Sequence, residues 1–224
     1  MSVREGLAEV RGRIARAADA CGRDARDVTL VAVSKTKPAA AIREAYALGQ
    51  RAFGESYAQE LATKREALAD LEGIAWHFIG HLQTNKAKLV AGAADVVHAV
   101  DSAVLARELG KRAAQRPHPL PVLIEVNVAA EPQKHGASPS ELGDVMAAVR
   151  AEPRLALRGL MTLPPFGDLE AARKTFGTLA SLRSLHGGVA VLPELSMGMS
   201  ADLEVAIACG ATMVRVGTAI FGER

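Results

Sequence analysis

Eight strand-helix units laid end to end in one chain predict an α/β fold, a single closed (β/α)8 TIM barrel preceded by an extra N-terminal helix. Three observations carry that expectation. Short apolar runs recur along the chain, each followed by a stretch of helical periodicity. The runs lack polar alternation, as in Leu30-Val31-Ala32-Val33 and Val122-Leu123-Ile124, the pattern of parallel strands covered on both faces. The 224 residues come close to the ~250 typical of such barrels, and the loops are too short to hold an inserted domain. An open doubly wound sheet is the alternative that the same units allow.

In the first twenty residues Val3, Leu7, Val10, Ile14 and Ala17 recur at helical spacing, so an amphipathic helix precedes the repeat and is expected to act as a cap or lid. The β-branched run Thr29 to Ser34 opens the first unit. Its helix starts at Pro38, a favoured first helical residue, and ends near Gly49. The second strand is Arg51 to Gly54 with a helix from Tyr57 to Leu71, and the third is Trp76 to Gly80 with a helix from Asn85 to Ala91. Val96 to Val100 and a helix from Ser102 to Gln115 form the fourth. Pro121 to Val128 is the fifth strand, and Ser138-Pro139-Ser140-Glu141 announces its helix with a capping box and a first-turn proline. Three units complete the series: Leu155 to Met161 with a helix after Asp168, Glu194 to Met197 with a helix from Ser200, and Met213 to Val216 with a terminal turn at Phe221. No composition break divides them, so residues 1–224 are expected to form one domain.

Hydrophobic residues make up 49% of the chain and the net charge is +2. The basic residues are scattered, which leaves no nucleic-acid footprint while still suiting an acidic ligand. Cys21 and Cys209 are far apart and without metal-type spacing, and read as ordinary buried thiols in a reducing compartment. The N-terminus has no apolar signal region, and no stretch reaches the ~18 apolar residues of a membrane span. The expectation is a cytoplasmic monomer that engages neither nucleic acid nor membrane.

Working groups of such a barrel project from the C-terminal strand ends. Lys35 directly follows the first strand, where partial desolvation favours the neutral amine that attacks a carbonyl. The loops after strands seven and eight, where barrels often bind phosphate, carry Ser196-Met197-Gly198-Met199-Ser200 and Arg215-Val216-Gly217-Thr218-Ala219. Their hydroxyls, glycines and helix-start N–H groups suit an anion. A mouth lysine with a phosphate cup is what a phosphorylated aldehyde needs, and equally what a Schiff-base aldolase needs. Asn85 is placed either to reach a ring hydroxyl from the mouth or to cap its helix, and Met161, ending the sixth strand, reads as packing. His77 and His81, on a strand and its turn, share no helical face for a metal. Lys134 lies on a polar loop over the mouth.

Taken together, the blocks Val31-Ala32-Val33-Ser34-Lys35-Thr36-Lys37-Pro38, Phe53-Gly54-Glu55, Trp76-His77-Phe78-Ile79-Gly80, Leu82-Gln83-Thr84-Asn85-Lys86, Arg158-Gly159-Leu160-Met161, Leu195 to Ser200 and Val214 to Gly222 resemble the pyridoxal phosphate homeostasis proteins, also called the proline synthetase co-transcribed family. The resemblance implies a fold like the N-terminal barrel of alanine racemase, of fold type III, with pyridoxal 5'-phosphate (PLP) as an internal aldimine on Lys35. It implies phosphate held by the Ser196 to Ser200 and Arg215 to Thr218 loops. The candidate cofactor-binding set is Lys35, Asn85, Met161, Ser196, Met199, Ser200, Arg215, Gly217 and Thr218. Ser56 departs from the family, which often has Asn there, and His81 is assigned no role.

Two-base racemisation needs groups on opposite faces of the adduct, one of which comes from a second, β-rich domain in alanine racemase. With that domain expected to be missing, the resemblance implies a non-catalytic carrier for intracellular PLP and vitamin B6 homeostasis, with PLP-dependent apoenzymes as acceptors. A single-domain amino-acid racemase on the same lysine is the alternative; an aldolase without cofactor and a vestigial barrel acting only in protein interactions are others.

Overall fold

The computed structural model describes residues 2–129, 131 and 133–223. Strands β1 (Thr29–Val33), β2 (Ala52–Glu55), β3 (Ala75–Phe78), β4 (Val96–Val100), β5 (Leu120–Glu125), β6 (Leu155–Met161), β7 (Glu194–Ser196) and β8 (Met213–Val216) close into a barrel in sequence order. Every pairing is parallel, and the closing pair sets Thr29 beside Met213 and Ala32 beside Val216. Closure settles the fold in favour of the barrel over the open sheet.

Around the strands run α1 (Val3–Asp19), α2 (Ala39–Ala47), α3 (Ala58–Ala67), α4 (Ala87–Ala93), α5 (Ala103–Arg112), α6 (Leu142–Arg150), α7 (Leu169–Leu185), α8 (Gly188–Val191), α9 (Leu203–Ala208) and α10 (Thr218–Phe221). The apolar face read from the first twenty residues is the buried face of α1, through Leu7, Val10 and Ile14. A reciprocal Ser2–Glu5 capping box starts that helix, satisfying two of its otherwise unpaired donors. It is not a lid. It packs against α2, α9 and α10, in the outer wall, because α10 is a single turn and leaves the β8–β1 seam without a full-length helix.

Several boundaries move for local reasons. β5 stops at Glu125, short of Val128, where the chain leaves the ladder and Val126 forms an isolated bridge with Ala137. Pro38 caps α2 and is not its first residue. The Ser138–Glu141 box forms, with each backbone N–H donating to the other's side chain, but as a turn ahead of α6. The stretch from Asn85 splits into a 3-10 turn, Thr84–Lys86, and then α4. The short α8 follows Gly187 at φ +108°, without the strong periodicity that sequence reading needs. Cys21 is exposed and Cys209 half-buried, a correction to both as buried thiols: each lies past the last buried turn of its helix.

No helix among the described residues is long and apolar enough to cross a membrane.

Candidate functional site

Lys35 stands two residues beyond β1, and a cavity of about 270 Å³ opens beside it. Its lining comes from the ends of different strands and the loops after them: Ser56, Gly80, His81, Glu125, Asn127, Lys134, His135 and Leu163. A larger groove of about 760 Å³ lies between α3 and α4 on the outer wall. It is open surface lined by helix side chains, whereas the mouth cavity is lined by strand-end and loop residues including Lys35, so the smaller mouth cavity is the better candidate for chemistry. Asn85 is exposed and lines that outer groove and a neighbouring one that it shares with His81, which also lines the Lys35 cavity. Met161 is 1% exposed and sits beside Ser196 in the ladder, packed as its sequence position suggested.

The loops after β7 and β8 meet at the rim. Ser200 Oγ and Thr218 Oγ1 are 3.1 Å apart, and the Asp202 carboxylate accepts the Met199 N–H at 2.5 Å. Gly198 has φ +95°, and a Cβ there would lie 2.5 Å from the Ala206 Cβ, so this turn requires glycine. Gly217 packs against Val33: a Cβ would meet the Val33 carbonyl oxygen at 3.2 Å. That close approach brings the β8 loop to the end of the strand that carries Lys35.

Ser196 and Arg215 face elsewhere than a rim phosphate would require. Both are buried in the barrel. Arg215 Nη1 donates to Ser196 Oγ at 2.6 Å and its Nη2 to the Thr162 carbonyl at 2.9 Å. His98 Nδ1 lies 2.8 Å from the same serine oxygen, and His98 Nε2 lies 2.8 Å from His77 Nδ1. Ser196 accepts from Arg215 and, with one proton and a second lone pair, can either donate to His98 Nδ1 or accept from it, so the direction along the Ser196–His98–His77 chain follows the His98 tautomer. Burial pushes His77 down to about 4 and His98 well below the usual imidazole range, so both rings are neutral at pH 7. Burial also lowers Arg215 to about 10 and raises Glu125 to about 7, against the attraction between the two.

His77 and His81 part company. His81 leaves the barrel and stacks on His135, with centroids 3.5 Å apart and rings 9° from parallel. Lys134 pairs with Glu131 at 2.5 Å and donates to the Pro164 carbonyl at 2.9 Å, which ties the β5 and β6 loops together over the cavity.

Sequence reading missed four groups beside Lys35. Glu55 and Glu125 each end an apolar strand at the barrel's C-terminal side, the signal that singled out Lys35, and could have been found by applying it evenly. Lys64 and Glu60 sit on α3 and contact the Lys35 loop only through folding; nothing in their helical spacing marks them.

A mouth lysine, two hydroxyls at a glycine-turned rim and a buried guanidinium form a donor set that fits a phosphorylated aldehyde. The class defined by this fold is the alanine racemase N-terminal barrel: the family model described as "Alanine racemase, N-terminal domain" matches residues 7–224. Relatives named pyridoxal phosphate homeostasis protein are 47% identical in Pseudomonas aeruginosa, covering 100% of this chain and 96% of theirs, and 46% identical in Escherichia coli strain K12, covering 99% and 97%. The chain belongs to the pyridoxal phosphate homeostasis protein family. The structure of PipY from Synechococcus elongatus with PLP bound is similar at a TM-score of 0.84 and 36% identity, over 99% of this chain and 100% of that one. Alanine racemase from Clostridium difficile matches at a TM-score of 0.72 and 14% identity, over 100% of this chain but 57% of its own. At that identity the likeness shows the fold alone.

Proposed function

We propose that this protein binds PLP covalently on Lys35 and holds it in reserve for intracellular PLP homeostasis, without efficient catalysis. The observation that carries this is the convergence of the Lys35 loop with the β7 and β8 loops, brought about by Gly217 packing against Val33. Ser200, Thr218, Met199 and Gly217 would hold the phosphate at the rim, and Ser196 and Arg215 would act from beneath, through the guanidinium that Ser196 orients. Met161 supports that floor. Asn85, which shares a groove with His81 of the mouth cavity, would approach the cofactor from that side. When bound, PLP supplies an aldehyde that captures amines and a ring that acidifies the carbon next to them.

The chain's own residues restrict the proton chemistry available at the mouth. His77 and His98 are neutral and held within the barrel. Glu125 lines the cavity together with Lys35, His81, Lys134 and His135. Racemisation requires two proton-transfer groups on opposite faces of the bound substrate, and the alanine racemase N-terminal barrel is the part of the racemase fold that this chain matches. We further propose that residues 1–224 act as one domain, as a cytoplasmic monomer, and that PLP-dependent apoenzymes receive the cofactor.

The test is the visible spectrum of the PLP-treated protein before and after borohydride, with peptide mapping. A yellow band that reduction converts into a pyridoxyl group on Lys35 supports the reading; a protein that stays colourless with added PLP overturns it. Exchange of an amino acid's Cα proton with solvent deuterium at catalytic rates would overturn the non-catalytic part, and Glu125→Gln would show whether that carboxyl was the base.

A further inference from the structure

The backbone on both sides of Lys35 is tied to one buried ion cluster. Lys64 projects from α3 with its side chain 8% exposed. Its ammonium donates to the Ser34 carbonyl at 2.6 Å, Glu55 Oε1 at 2.8 Å and Glu60 Oε1 at 2.7 Å. An ammonium has three protons, and all three are used. The Glu60 oxygen that receives Lys64 also accepts the Thr36 N–H at 2.7 Å, and the Glu55 oxygen also accepts the Ser34 hydroxyl at 2.6 Å. Residue 34 is therefore held through its carbonyl and hydroxyl, residue 36 through its N–H, with Lys35 between them.

The conformation being held is an uncommon one. Thr36 has φ +64°, the one positive φ at a non-glycine among the described residues, and a β-branched residue adopts that region only under constraint. The cluster itself is expensive, because two carboxylates and an ammonium lose water together. Burial raises Glu55 despite its partners. A loop that only joined β1 to α2 would need neither the cluster nor the strained threonine. Its geometry sets the direction in which residue 35 leaves the backbone.

We propose that Lys64, together with Glu60, is a positioning residue for Lys35, fixing the 34–36 backbone so that the Lys35 amine is presented to the aldehyde of PLP. This rests on the reading of Lys35 as the cofactor's anchor. Neither residue touches the cofactor in this role; both act through Lys35.

The experiment compares the parent with Glu60→Ala, Glu60→Gln and Lys64→Met, measuring PLP affinity by absorbance titration, the rate of borohydride trapping, the site of the adduct, and the thermal midpoint of the unloaded protein. Glu60→Ala and Lys64→Met are expected to weaken PLP binding by about 10-fold or more, the scale of a lost charge-assisted hydrogen bond, and to slow trapping at Lys35. Glu60→Gln, whose amide oxygen still accepts both bonds, is expected to stay within about 3-fold of the parent. Glu60 is partly exposed, so Glu60→Ala keeps the comparison sound if Lys64→Met fails to fold. Parental affinity and trapping in Glu60→Ala would overturn the proposal, whatever its midpoint, and so would a Glu60→Gln as impaired as Glu60→Ala. If the parent itself forms no Lys35 adduct, the anchor reading fails and this proposal with it.

Discussion

Glu125 lines the mouth cavity with its carboxyl pushed up to about 7 by burial, against an ordinary value of 4.5. A carboxyl whose folded pKa is raised contributes stability that is fully present below 4.5 and is lost as pH rises through about 7. Glu125→Gln has no such loss, so its stability relative to the parent should climb between pH 4.5 and 7, by on the order of 3 kcal/mol. Urea midpoints of both proteins at pH 5 and pH 8 measure the gap; a constant difference would show that the carboxyl does not titrate in that window. His77 acts in the opposite direction in an overlapping range. Its folded pKa of about 4 lies below the usual 6.5, so the unfolded chain takes up the proton first and stability falls as pH drops from 6.5 towards 4. Gly198→Ala meets both a positive φ and the Ala206 Cβ. It should cost about 1–3 kcal/mol and weaken PLP binding through the displaced rim, read by thermal midpoint and titration.

At the level of elements, α1 serves the rim from outside the barrel. Gly6 lies so close to α10 that a Cβ would come within 2.5 Å of the Ala219 carbonyl oxygen. Arg13 forks onto Glu204 at 2.6 and 2.8 Å and donates to the Ser200 carbonyl at 2.9 Å. One helix therefore braces the loops after both β7 and β8. Gly6→Ala should push α1 off α10 and lower the thermal midpoint, at a cost of about 1–3 kcal/mol. Arg13→Ala removes a half-exposed pair worth only about 1 kcal/mol, yet should raise hydrogen exchange in residues 198–202 more than in α1 itself. Equal exchange in both segments would mean that Arg13 does not brace the rim. The sequence showed that α1 exists and which face is apolar; its partners were not legible, because an apolar stripe specifies burial but not what buries it.

For the whole molecule, a ligand that binds only the folded state stabilises it by about 2.7 kcal/mol at 100 times its dissociation constant. For a chain of this size that corresponds to a rise in thermal midpoint of roughly 5–10 °C. Lys35→Ala, lacking the covalent anchor, should show a much smaller rise at the same PLP concentration; an equal rise would place the binding energy in the phosphate rim alone.

Residue order alone was enough to establish the eight units, their succession, the parallel sheet, Lys35 at the mouth and the glycine-turned loops opposite. Each of these is written in a local signal: an apolar run, a helical period, or a glycine where no other residue can turn. Folding in three dimensions was needed to close the sheet, to point Arg215 and Ser196 into the barrel, and to gather Glu55, Glu60 and Lys64 behind Lys35. Those facts join residues from 4 to 184 positions apart, Lys64 with Glu60 at one extreme and Thr29 with Met213 at the other. Their pairing is fixed by how the closed barrel aims each strand end and helix, and no local stretch of chain carries that direction.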